Sequence, residues 1–146
     1  MKKLGIILTT LMLFVIVGCT KQKVENYNYN YRGENELWSA EYNVDGKSKI
    51  TEKDGKINYY GDANYQLTVN YKKDLSELSS AKHLEISYRT GTKAGNLTQD
   101  FDDNNPVERV YTLKSSSTNG AIETKDDVIE VTINLDGNIQ TIQLKN

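Results

Sequence analysis

The chain has 146 residues, with 18 basic against 20 acidic side chains and a formal net charge of −2. That balance argues against nucleic acid as a partner, because phosphates need a basic face, and against polybasic docking on anionic lipid. The length suits one domain rather than two, and a single cysteine excludes an intramolecular disulfide.

The first element is an address. Lys2 and Lys3 precede an uncharged, mostly aliphatic run at 4–17. A membrane-spanning helix needs about 20 apolar residues, so this shorter run fits the h-region of a signal peptide. It ends Ile16-Val17-Gly18-Cys19, which resembles the lipobox of bacterial lipoproteins. The resemblance implies cleavage before Cys19, a diacylglyceryl group on its thiol, and residence on the extracytoplasmic face of the cell membrane. Two acyl chains at about 0.8 kcal/mol per buried CH₂ hold far more firmly than one myristate. The alternative is an uncleaved N-terminal anchor with an incidental cysteine, and it too attaches the chain to a membrane. Without residues 1–18 the balance is 16 basic to 20 acidic, and Cys19 holds the one thiol.

Next comes TKQKVENYNYNYR, residues 20–32. It is polar and short of aliphatic residues, and two readings stand. As a solvated tether it spans about 20 Å on average. As an extended strand it puts Tyr27, Tyr29 and Tyr31 on one face, since successive side chains alternate. The division expected is a signal peptide at 1–18, the lipidated cysteine and polar tether at 19–32, and a folded domain at 33–146.

Period-two alternation dominates that domain. Trp38, Ala40, Tyr42 and Val44 share a face, and Asp45-Gly46 supplies a turn signal. A strand is expected at 56–60, after a second Asp-Gly. In the next, Tyr65, Leu67, Val69 and Tyr71 point inward. Leu75 and Leu78 suit one helical turn. Leu84, Ile86 and Tyr88 mark another strand, and 91–96 reads as a loop with two glycines. Residues 107–114 form a strand candidate with Tyr111 and Leu113 inward. Ile129, Val131, Ile133 and Leu135 then lead through Asp136-Gly137 into a final hairpin partner. Seven or eight short strands joined by turns predict an all-β, antiparallel, immunoglobulin-like sandwich.

GENELWSAEY, residues 33–42, is similar to the Gly-Glu-x-x-x-Trp-x-x-x-Tyr entry segment of small lipoproteins from Gram-positive bacteria. The matching positions are Gly33, Glu34, Trp38, Glu41 and Tyr42. That resemblance implies an extracytoplasmic β-domain and no catalytic residues.

Among chemistry-bearing groups, Asp100, Asp102 and Asn104 match the first ligand positions of an EF-hand loop. Asn105 and Tyr111 stand where that loop needs glycine and glutamate, so the EF-hand fails. A looser calcium site on Asp100, Asp102 and Asp103 competes with a solvated loop ended by Pro106. His83, the only histidine, falls on the outward face, with no H-E-x-x-H or G-x-S-x-G context. A wall-active enzyme would need two converging carboxyl groups, and the sequence singles out no pair. The function expected is therefore a non-enzymatic binding module without cofactor, held to the membrane through Cys19 and engaging a membrane or cell-wall partner. A small-ligand or cation carrier is the alternative. Trp38 is an interaction candidate or the centre of the core. Tyr59 and Tyr60 cannot both face inward in a regular strand, which makes them the other contact candidates.

Overall fold

The computed structural model describes residues 21–53 and 55–146. Cys19 and the expected signal segment lie outside the described residues. Eight strands run β1 (Lys21–Glu34), β2 (Trp38–Lys53), β3 (Lys56–Tyr71), β4 (His83–Arg89), β5 (Ala94–Asp100), β6 (Val110–Ser117), β7 (Ile129–Leu135) and β8 (Asn138–Leu144). They form two packed four-stranded sheets, ordered β1-β2-β3-β6 and β5-β4-β7-β8, with every pair antiparallel. The protein is a β-sandwich. Its strand order departs from that of immunoglobulin domains, where the third strand crosses to the second sheet; here β3 stays beside β2.

The alternation read from the sequence is the alternation of burial. Trp38, Ala40, Tyr42 and Val44 of β2 are buried, as are Tyr65, Leu67, Val69 and Tyr71 of β3. Leu84, Ile86, Ile129, Val131 and Ile133 face them from the second sheet, and each such side chain contributes about 1.5–3 kcal/mol by leaving water. Trp38 meets Tyr71 edge-on at 4.9 Å. Tyr42 packs between Tyr31, Tyr65 and Tyr88, at 6.2, 6.1 and 5.2 Å between ring centres.

Residues 21–32 are strand, not tether. The tyrosines of the NYNYNY run face the core side, Tyr31 being fully buried. Its asparagines face out, where Asn30 donates to Glu41 (2.7 Å) and Asn43 (2.7 Å) on β2. Asparagine and tyrosine thus serve opposite faces of one strand. The sandwich also closes through β1: Arg32 and Lys145 exchange backbone hydrogen bonds of 2.8 and 3.0 Å. Gly33 permits that approach, because a Cβ there would lie 2.4 Å from the Gln143 carbonyl oxygen.

Asp45-Gly46 is not a turn. Both residues are paired on each side, Gly46 between Tyr27 and Ala63, and β2 runs on to Lys53. A tight turn signal is overridden when two neighbouring strands continue past it. The reversal falls instead at Gly55, with φ +72. Residues 56–60 and 64–71 accordingly merge into one strand. Part of the expected loop at 91–96 is β5, where Gly95 sits opposite Tyr88. The helical turn at Leu75–Leu78 follows the sequence reading, as does the hairpin turn at Asp136-Gly137, where both residues have positive φ.

These long strands give the molecule two unlike ends. β6 follows β3 only as far as Ala63, while β1, β2 and β3 continue as a three-stranded ribbon. At the base of the ribbon lie the β4–β5 turn and the β6–β7 loop, residues 118–128, which bonds back to Gly61. The opposite pole carries the β1–β2 turn, the helical turn, the loop at 101–109 and the β7–β8 turn.

Candidate functional site

The ribbon-side pole holds a group the sequence did not mark. Glu123, on the β6–β7 loop, is 1% exposed. Its Oε1 accepts hydrogen bonds from the Thr90 and Thr92 hydroxyls, at 2.8 and 2.6 Å. Thr90 Oγ1 in turn accepts the backbone N–H groups of Thr92 and Lys93, so the β4–β5 turn is shaped around the carboxylate. Glu123 Oε2 and the Tyr42 hydroxyl are both buried without a hydrogen-bond partner. Burial, and then Glu123, push the Tyr42 hydroxyl far above its ordinary pKa. Burial also raises Tyr31, with Asp127 and Glu123 adding to it, and Tyr31 donates to the Thr124 carbonyl. The Lys93 ammonium lies 4.3 Å from the centre of the Tyr65 ring, an attractive cation–π geometry. The cluster latches a turn to a loop, and it leaves one acceptor and one hydroxyl unspent. An acid in a turn-rich loop looks like any surface acid, so no periodicity pointed to Glu123.

At the opposite pole the expected calcium ligands part company. Asp100 is engaged by His83, with Nδ1 to Oδ1 at 2.6 Å. Asp102 Oδ1 accepts the N–H groups of Asn104 and Asn105, a local turn closed on itself. Asp103 is exposed on that turn. Among the described residues no three His, Cys, Asp or Glu side chains are grouped to hold a metal ion. The hydrogen bond that Asp100 accepts from the ring holds the His83 pKa above its ordinary value, with Glu85 and Asp136 adding to it. Beside this pair a groove of about 530 Å³ is lined by Leu75, Ala81, Lys82, Phe101, Asp102 and Pro106.

The aromatic candidates divide. Trp38 is 1% exposed and belongs to the core, so a contact through its ring would require unfolding. Tyr59 and Tyr60 lie on opposite faces of the ribbon, and both are 45% exposed. The expectation of one exposed tyrosine falls short because no second sheet covers the inner face there. Among the described residues no helix is long and apolar enough to cross a membrane.

Comparison with protein-family models, with curated proteins and with solved structures gives no match.

Proposed function

We propose that the chain is a lipid-anchored, extracytoplasmic binding module of a bacterial cell membrane. One observation carries the reading: the lipobox cysteine, Cys19, stands two residues ahead of Lys21, the first residue of β1. At most about 7 Å of chain separates them. A diacylglyceryl group on Cys19 therefore tethers the ribbon end to the bilayer and turns the opposite pole outward. That pole's loops and groove are the surface offered to a membrane protein or wall polymer, in the way immunoglobulin-like sandwiches present loops from one end. No catalytic role is assigned.

The test has two parts. Mass spectrometry of the N-terminal peptide from membrane-extracted protein is expected to find the acyl mass on Cys19, and Cys19→Ala is expected to abolish it. A photo-crosslinking side chain at Glu36 or Asp103 is then expected to capture a specific partner in cells. Equal capture from a crosslinker at Glu130, exposed on the outer sheet face away from that pole, would remove the assignment of the pole. A second reading, a site for a small polar ligand or cation, rests on the unpartnered Glu123 Oε2 and Tyr42 hydroxyl. Thermal shift with calcium and small polyols tests it, with Glu123→Gln as the control.

A further inference from the structure

We infer that the tip of the ribbon is a docking element for an anionic lipid surface; this rests on the anchored reading of Cys19. The whole-chain charge conceals the feature, because charge is segregated along the long axis. Segments 21–25 and 47–60 carry six lysines against three acids, and residues 21–25, 47–53 and 55–60 build the tip. The remainder of the chain after residue 18 carries ten basic against seventeen acidic residues. Lys47, Lys49, Lys53 and Lys56 are all exposed, and Lys23 is exposed but paired with Glu25.

Apolar surface is concentrated at the same place. The described chain exposes seven large hydrophobic side chains, and four of them are on the ribbon: Val24, Ile57, Tyr59 and Tyr60. Ile57, at 73%, is the most exposed of all. Lysines with tyrosines and a few aliphatic groups match the interfacial zone of a bilayer, where aromatic rings sit at headgroup level and ammonium groups meet phosphate. Lysine is depleted at protein–protein interfaces, and a neutral surface would leave these lysines unused.

Geometry makes the occupant specific. Lys21 pairs with Glu52, so the start of β1 and the β2–β3 turn lie at the same end. Beyond the row Tyr27–Gly46–Ala63 the ribbon adds six further rows, Asn26 down to Lys21, or about 20 Å. That exceeds the screening length of about 8–10 Å at physiological salt. The acidic sandwich thus stands clear of the negative surface that the basic tip touches.

Reconstitution of the lipidated chain into vesicles tests this, using phosphatidylcholine alone or in equal parts with phosphatidylglycerol, with brominated acyl chains as quencher. Ile57→Trp supplies the probe, and the buried Trp38 is an internal reference outside quenching range. The introduced indole is expected to be quenched on the anionic vesicles only, and released by high salt. Lys49→Gln and Lys56→Gln are each expected to weaken docking by about fivefold. An unquenched indole on vesicles that retain the protein overturns the tip contact alone. Equal quenching on neutral vesicles overturns its dependence on anionic lipid. Protein that leaves the vesicles without an acyl mass on Cys19 overturns the anchored reading, and the docking proposal with it.

Discussion

The first sheet crosses from one environment into another along the same three strands. Above Ala63 the second sheet lies over its inner face, and Tyr31, Tyr42, Leu67 and Val69 are buried. Below it the alternation continues unbroken, yet Ile57 and Tyr59 on that face remain open to water. Period two encodes strand pairing and the choice of face. Burial needs a second layer, which the period does not announce. The ribbon compensates locally: Tyr27 lies over β2, its hydroxyl 2.8 Å from Ser48 Oγ and 2.8 Å from Glu25 Oε2, and Ser48 is buried beneath it.

The contrast breaks most visibly under truncation. Leu67→Ala, in the covered half, is expected to cost about 2–5 kcal/mol in urea unfolding. Ile57→Ala, on the same face of the same strand, is expected to stay within about 0.5 kcal/mol. Equal costs would mean that the ribbon face is covered in solution. Glu123→Ala comes next, at about 1–3 kcal/mol, because it takes the acceptor away from the buried Thr90 hydroxyl. Hydrogen exchange sharpens the same comparison. Backbone amides of Lys49 and Thr51 are expected to exchange more than about tenfold faster than those of Ile86 and Tyr88, a difference of local opening rather than of hydrogen bonding.

What was legible follows the same division. The inward sets on β2, β3, β4 and β7 were read from alternation alone, because both sheets bury those positions. Asp136-Gly137 was legible because its turn is local, and nothing continues beside it. Asp45-Gly46 misled because two neighbours hold β2 straight through it. The NYNYNY segment was ambiguous for a reason: asparagine gives no apolar signal, and the bonds that make it useful, Asn30 to Glu41 and Asn43, come from another strand. The latch at Glu123 was invisible because it joins residues 90–92 to residue 123 through tertiary contact. Net charge was the least informative quantity, since it averages a basic tip against an acidic body.

The smallest effect lies at the pole opposite the ribbon, where an exposed His83–Asp100 pair stands in water. His83 Nδ1 meets Asp100 Oδ1 at 2.6 Å, while Asp136 accepts the backbone N–H groups of Lys82 and His83. Asp100, Glu85 and Asp136 all favour the protonated ring, so its pKa lies above the ordinary value of 6.5. The sign follows from linkage: a raised folded-state pKa stabilises fully below the unfolded value and is lost as pH rises through the folded one. The pole is therefore firmer on the acid side of neutrality, and exposure with salt screening keeps the gain small. NMR titration of the ring should show a midpoint above 6.5, brought down by Asp100→Asn and by high salt. A midpoint indifferent to Asp100→Asn would mean the pair does not form in solution. The β4–β5 edge at this pole would then be held by its backbone ladder and by the bonds that Asp136 accepts and Asn105 donates.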